Sequence, residues 1–125
     1  MKSYKDLEIY QLSLDLFFKV HKFSLNLPAY EKYELGSQLR RAADAVNSNI
    51  VEGYGRRRYK SDFIKFLVYS HSSNLETGNH LIKISNLYPE FEQEAEILIK
   101  SYDSLGIKIH NFLEYVERSW KTERQ

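Results

Sequence analysis

A run of basic residues is the feature of this sequence that most clearly points to a chemical role. Five basic side chains fall within ten residues, and we call them the basic cluster: Arg56, Arg57, Arg58, Lys60 and Lys65. The guanidinium group presents a planar fork of donors that matches phosphate oxygens, and it stays charged at physiological pH. Tyr54 and Tyr59 flank the arginine triplet, and we expect their rings to stack on exposed bases. The pattern therefore predicts contact with a nucleic acid.

The basic cluster is also compatible with two roles that need no nucleic acid. Basic residues that follow a helix C-terminus complement the helix dipole and solvate the turn. They also pair with acidic groups, and four glutamates lie between Glu90 and Glu96 without any base, so a neighbouring subunit would offer such a partner. Although the net charge of the chain is only +1, one region is basic and another acidic. Such a chain attracts a polyanion or copies of itself.

Catalytic and metal-binding patterns are absent from the sequence. The chain has no cysteine, and its histidines are His21, His71, His80 and His110. No two of them are three or four residues apart, and no Glu-x-x-His pair occurs, so we expect no metal site. No arginine precedes a histidine by four to six residues, the spacing that sets a general base beside a phosphate-binding group. Phosphate loops and nucleophile elbows are also missing. The sequence predicts neither an enzyme nor a cofactor.

A second polar group lies just before the cluster, and we predict a structural role for it. Its members are Arg40, Arg41, Asn49, Glu52 and Gly53. Asp44 follows Arg40 by four residues, which places the two side chains within reach on a helix. Asn49 and Glu52 share one helix face, and we expect Glu52 to pair with a basic side chain of a neighbouring helix or subunit. Such a pair specifies geometry more than it adds stability.

Apolar residues recur at steps of three and four along four segments, which predicts four amphipathic helices. Their approximate bounds are Leu7–Leu27, Tyr33–Tyr54, Ser61–Leu87 and Pro89–Trp120. Long helices with short connections predict an all-α, up-down-up-down four-helix bundle, here as a single domain over residues 1–125.

The expected helix ends and the weak middle of the third helix follow from individual residues. Ser3 with Asp6 is expected to cap the first helix, and Ser61 and Asp62 the third. Gly53 and Gly55 are expected to end the second helix through the left-handed conformation. The third helix contains poor helix formers at positions 70–74 and 78–79, so we expect it to bend there or to face another polar surface.

Length and hydropathy bound the class of protein. The chain has 125 residues, 42% of them hydrophobic, which is enough for one domain with a sizeable core. No apolar stretch approaches the roughly 20 residues of a membrane span, and the first residues lack the apolar run of a signal peptide. We therefore expect a cytoplasmic protein without a membrane partner.

The most specific motifs of the chain lie in the second helical segment. They are SQLRRAA at positions 37–43 and SNIVEGYGR at positions 48–56, with YKDL at 4–7 and FIKFL at 63–67 on either side. Together they resemble the four-helix proteins encoded in intervening sequences of bacterial 23S ribosomal RNA genes, also called the S23 ribosomal-protein-like family. The resemblance spans essentially the whole chain.

The resemblance implies a four-helix bundle that assembles into a ring-shaped homopentamer with a basic surface, without catalysis. A related branch is the accessory protein of diversity-generating retroelements, which contacts a reverse transcriptase and nucleic acid. A ring would repeat the basic cluster around its rim. Two hypotheses follow. The first is a homo-oligomeric accessory protein that binds RNA or DNA. The second is a protein–protein assembly module whose basic rim binds an acidic partner.

Overall fold

The computed structural model describes residues 3–121, so the outermost residues of the predicted domain (1–2 and 122–125) lie outside the described part. Helices dominate these residues, and they contain no strand. The elements in chain order are a 3-10 turn Tyr4–Asp6, α1 Glu8–Ser24, the one-turn α2 Ala29–Lys32, α3 Leu35–Gly55, α4 Lys60–Leu87, a second 3-10 turn Pro89–Phe91, and α5 Glu92–Ser119.

The four long helices form an up-down-up-down bundle, which confirms the predicted fold class. Around the bundle axis the order is α1, α3, α4 and α5, since α1 contacts both α3 and α5 whereas α1 and α4 are diagonal. The α3–α4 and α4–α5 pairs pack most extensively, and the α1–α5 pair least. Four residues join α3 to α4 and α4 to α5, and ten residues that include α2 join α1 to α3, so that successive long helices run antiparallel.

The core consists of the apolar residues whose spacing predicted the helices. Its fully buried large side chains include Phe23, Leu39, Ile50, Phe63, Leu67, Leu81, Ile84, Tyr102, Leu105 and Ile109. Burial of such side chains removes apolar surface from water at roughly 25 cal/mol per Å², which is the main stabilisation of a bundle without disulfides or metals.

Gly53 does not end a helix, contrary to the sequence expectation. Among residues 3–121 no glycine has a positive φ, and α3 continues through Gly55. A Cβ at position 53 would lie 3.1 Å from Cβ of Phe66 and 3.3 Å from Cδ1 of Phe63. Gly53 therefore permits the close approach of α3 and α4, and the reversal of the chain follows at residues 56–59.

The expected caps also differ from the structure. Ser61 and Asp62 lie inside α4, whose first turn follows Tyr59 and has no side-chain cap. Ser3 and Asp6 form a reciprocal capping box, but it closes the 3-10 turn that precedes α1. α1 ends at Ser24, whose hydroxyl donates to the carbonyl of His21 at 2.8 Å. The predicted cap of α4 is therefore wrong, and the predicted cap of α1 belongs to the 3-10 turn before it.

α4 is continuous through its weak middle, and its polar residues there face the backbone of its neighbours. The Ser70 hydroxyl donates to the carbonyl of Val46 in α3 at 2.7 Å. The Asn74 amide donates to the carbonyl of Tyr102 in α5 at 2.8 Å. Of the two expected outcomes, a polar partner surface is the one observed. Because both groups are buried, these hydrogen bonds also fix the register of α4 against α3 and α5.

Two helical glycines near this region are expected to respond oppositely to alanine. A Cβ at Gly106 would lie 2.9 Å from Nδ2 of Asn74, whereas a Cβ at Gly78 would meet nothing within 4 Å. Gly106→Ala should lower the free energy of unfolding by about 1–2 kcal/mol, because it displaces a buried amide from its acceptor. Gly78→Ala should raise it by about 0.5–1 kcal/mol through helix propensity. Urea unfolding at one protein concentration measures both, and equal effects would contradict the role of Asn74.

Candidate nucleic-acid interface

The basic cluster lies at one end of the bundle, in the turn between α3 and α4 and the first turns of α4. The opposite end carries the acidic residues Glu31, Glu34, Glu90, Glu92, Glu94 and Glu96. Because α4 has 28 residues, about 42 Å separates its two ends. The basic and acidic regions therefore do not neutralise one another within one chain, and each end of the bundle keeps its own sign of charge.

Arg56 is neutralised by carboxylates of its own chain. Its Nε donates to Oε2 of Glu52 at 2.7 Å, and its Nη1 lies 3.9 Å from Oδ2 of Asp62. Its guanidinium also lies 4.9 Å from the centre of the Phe66 ring. Glu52 thus pairs within one helix turn and not with a neighbouring helix, contrary to the sequence expectation. Both partners are about half exposed, so water screens the pair and it adds little stability.

Arg57 closes the C-terminus of α3. Its Nη1 donates to the carbonyl of Tyr54 at 3.0 Å, and its guanidinium lies 4.1 Å from the centre of the Tyr54 ring. A basic side chain that complements the helix dipole makes this kind of contact. Tyr54 is buried, with its ring packed against Tyr4 and Phe63, so it has no free face for a base. The expected stacking by Tyr54 is therefore wrong.

The other three cations of the cluster have no carboxylate partner among residues 3–121. Arg58 and Lys65 are exposed and Lys60 is half-buried, and none of the ion pairs among residues 3–121 involves them. Two exposed rings accompany them. Tyr59 is 60% exposed beside Arg58, and Tyr69 is 44% exposed with Nζ of Lys65 at 5.9 Å from its centre. Arg58 and Lys65 thus each lie beside an exposed aromatic ring.

Two further basic residues, Lys5 and Arg118, lie at this end of the bundle. Lys5 lies in the 3-10 turn beside Tyr4, whose ring packs against Tyr54 with centres 6.5 Å apart. Arg118 lies in the last turn of α5, and the next residue but one, Trp120, packs against Phe63 at 5.1 Å. Sequence reasoning missed these two bases because they are distant in sequence from the cluster. Tyr69 was also missed, although its position four residues after Lys65 is a local signal.

The second polar group precedes the cluster in the sequence, and its residues make their contacts in other parts of the bundle. Nη1 of Arg40 donates to the Ser24 hydroxyl at 2.8 Å, and Nη2 donates to the carbonyl of Lys32 at 2.7 Å. Arg40 therefore ties α3 to the end of α1 and to α2, and does not pair with Asp44. Arg41 is exposed, and the Asn49 amide donates to the carbonyl of Ala45 within α3 at 2.9 Å.

Adjacent arginines are expected to differ in their effect on stability. Arg40→Ala should lower the free energy of unfolding by about 1.5–3 kcal/mol, because two charge-assisted hydrogen bonds between elements are lost. Arg41→Ala removes the same charge from an exposed site and should change it by less than about 0.5 kcal/mol. Thermal unfolding of the two variants makes the comparison. Equal losses would mean that the bonds of Arg40 contribute nothing beyond its charge.

The histidines and carboxylates of the bundle do not gather into a metal centre. Within residues 3–121, no group of three or more histidine or carboxylate side chains is placed to hold a metal ion. His80 lies 3.4 Å from Glu76, and the rings of His71 and His110 are 6.0 Å apart across α4 and α5. None of the described helices combines the length and apolar character that crossing a membrane requires.

Comparison with known proteins supplies the family. The profile described as 23S rRNA-intervening sequence protein matches residues 5–111, which include α1, α3, α4 and most of α5. No curated protein matches the chain. The matched region contains the α3–α4 turn and the whole basic cluster. Since the match covers well over half of the sequence, the chain belongs to the 23S rRNA-intervening sequence protein family.

Proposed function

We propose that this protein is a non-enzymatic, cytoplasmic accessory protein that binds nucleic acid as a homo-oligomer. The observation that supports the proposal most directly is the group of Arg58, Lys60 and Lys65 at the basic end, with the exposed rings of Tyr59 and Tyr69 beside Arg58 and Lys65. Its cations lack carboxylate partners among the described residues, and its two rings are exposed. A ring of five copies, as the family resemblance implies, is the assembly that we propose.

The chemistry of this surface favours single-stranded nucleic acid. The lysine and arginine groups bind phosphate oxygens without reading sequence. Tyrosine rings stack on bases only where those bases are unpaired, and such stacking contributes about 1–3 kcal/mol per base. A loop or a single strand of RNA or DNA therefore satisfies both kinds of group, whereas a duplex satisfies the cations alone.

A second candidate function is an assembly module that binds an acidic protein. The contacts of Arg56 and Arg57 within the chain support this alternative, because they leave only three cations of the cluster without a carboxylate or carbonyl partner among residues 3–121, whereas binding to nucleic acid depends on several converging phosphate contacts. The cluster then offers fewer phosphate contacts than its sequence suggests. An acidic protein surface would bind the remaining cations but would leave the exposed tyrosines without a role.

A salt titration of binding tests the first candidate. Affinity for a single-stranded RNA and for duplex DNA is compared between the native protein and an Arg58→Ala/Lys60→Ala/Lys65→Ala variant. Each lost phosphate contact should reduce the slope of log affinity against log salt by about 0.7 on a single strand, so the variant should flatten it by about 2. Arg56 and Arg57 are left intact because their substitution would disturb the end of α3.

A matched control removes the same charge elsewhere. The Arg41→Ala/Lys83→Ala/Lys100→Ala variant loses three exposed cations outside the cluster. It should keep the native slope, because only phosphate-contacting cations release counterions. Equal flattening by both variants would show a diffuse charge effect. Failure of either nucleic acid to bind at low salt, with binding to an acidic polypeptide, would favour the assembly module.

A further inference from the structure

α1 carries a mainly apolar row on its outer surface, made of three apolar side chains and one histidine. We call it the α1 stripe, and its residues are Leu14, Phe18, His21 and Leu25. Phe18 is 57% exposed, and its ring contacts Phe17 edge-on with centres 5.5 Å apart. The steps of four, three and four residues are typical of a seam at which helices pack. At 1.5 Å per residue the row is about 16 Å long.

A second apolar surface lies between α4 and α5. We call it the α4–α5 groove; its volume is about 460 Å³, and its lining includes Leu75, Gly78, Ile82, Asp103, Gly106 and Ile107. Leu75 is 65% exposed, and Ile82 and Ile107 are exposed as well. The groove thus presents three large apolar side chains to solvent.

Gly78 in this groove has no packing reason within its own chain. A Cβ there would meet nothing within 4 Å, yet glycine inside a helix costs about 1 kcal/mol relative to alanine. Gly53 and Gly106, by contrast, each make room for a side chain of the neighbouring helix. An open glycine between exposed Leu75 and Ile82 leaves the backbone of α4 accessible to a helix of another molecule.

The stripe and the groove lie on different sides of the bundle. α1 and α4 are diagonal in the helix order, and the stripe faces outward from α1. A contact between them joins two different patches, so it is heterologous and builds a ring or a chain of copies instead of a two-fold dimer. Both patches run along helices, which places neighbouring bundles side by side.

Charge on the two patches is complementary. Lys22 borders the α1 stripe and Asp103 lines the α4–α5 groove, and neither forms an ion pair within the described part of the chain. Lys22 follows the start of α1 by 14 residues and Asp103 precedes the end of α5 by 16, so they lie about 21 and 24 Å from the basic end. In parallel neighbouring bundles the two charges therefore lie at similar heights.

We propose that the α1 stripe of one copy occupies the α4–α5 groove of the next, with parallel bundles. The contact deepens the assembly part of the proposed function and requires no nucleic acid. It places every basic end on one rim of the assembly. Apolar surface at the stripe and the groove supplies the attraction, and Lys22 with Asp103 adds an ion pair near the middle of the bundle. The proposed ring of five copies sets the direction, because an odd number of bundles in a closed ring must all run the same way.

Two single substitutions and their mixture test this contact by sedimentation in the absence of nucleic acid. Phe18→Glu places a charge in the α1 stripe and leaves the α4–α5 groove intact. Leu75→Glu places a charge in the groove and leaves the stripe intact. The native protein should sediment as an oligomer and each variant as a monomer. An equimolar mixture should form a one-to-one heterodimer, because one intact stripe meets one intact groove. Leu87→Glu, which alters an equally exposed residue at the end of α4 outside both patches, should leave the oligomer intact.

Several results would overturn the contact. They are a native monomer at the highest concentration tested, dissociation by Leu87→Glu, or a mixture that stays monomeric. Should a glutamate variant fail to fold by circular dichroism, Lys22→Asp and Asp103→Lys provide the second test. Each charge reversal should weaken assembly, and the two together should restore it; no restoration would also overturn the contact. An intact oligomer that does not bind RNA would count against the proposed function alone.

Discussion

Replacing Phe18 with glutamate is expected to weaken binding to a long single-stranded RNA by about 10²- to 10⁴-fold, although Phe18 is not part of the basic cluster. One cluster offers only three cations without carboxylate partners, which supports weak binding by itself. A side-by-side assembly repeats the cluster on one rim, so a long strand that has bound one copy meets the next at high effective concentration. Fluorescence anisotropy of a labelled RNA measures the loss.

A short oligonucleotide provides the control for this prediction. An RNA that reaches only one cluster gains nothing from assembly, so the native protein and the Phe18→Glu variant should bind it equally. Loss of affinity for the short RNA as well would mean that the substitution damages the bundle. Unchanged affinity for the long RNA would mean that a single bundle accounts for all the binding.

Phe63→Ala is expected to cause the largest loss of stability, about 3–5 kcal/mol. Phe63 is fully buried at the start of α4. Its ring meets Tyr54, Phe112 and Trp120 with centres 6.3, 5.9 and 5.1 Å away. It thereby joins α3, α4 and the end of α5 directly beneath the basic cluster. Since domains of this size are stable by only about 5–15 kcal/mol, the variant should be close to unfolding.

Urea unfolding at a fixed protein concentration measures this loss, and an exposed aromatic residue supplies the comparison. Tyr33 is 80% exposed, so Tyr33→Ala should change the free energy of unfolding by about 0.5 kcal/mol or less. If Phe63→Ala cost no more than Tyr33→Ala, the aromatic group around Phe63 would not be holding the basic end together.

The helices and the core of this protein are predictable from its sequence. Leu39, Ile50, Leu67 and Leu105 lie at the steps that bring one face of a helix to the core, and all four are buried. The predicted start of the long helix α4 lies one residue from the observed start, and its predicted end at Leu87 is correct. A helix can be predicted from a short stretch of sequence because its hydrogen bonds are local and its apolar residues recur with a regular period.

The candidate site was only partly predictable. Arg56, Arg57 and Arg58 are equivalent in the sequence, yet Arg56 pairs with Glu52, Arg57 binds the end of α3, and Arg58 is exposed. Tyr54 and Tyr59 lie on either side of the triplet, but the ring of Tyr54 is buried and that of Tyr59 is exposed. These differences arise from contacts with residues distant in sequence. The ring of Tyr54, for example, is covered by those of Tyr4 and Phe63.

Three glycines show the difference between what the sequence determined and what only the tertiary structure decided. The sequence alone determined that Gly78 and Gly106 lie in helical segments, because periodicity over three or four residues is a local property, whereas its prediction that Gly53 ends a helix was wrong. Only the packed bundle decided that Gly53 admits Phe66, that Gly106 admits Asn74, and that Gly78 faces open space. The role of a residue without a side chain depends on what the neighbouring helix brings to it, and that contact forms only when distant segments pack.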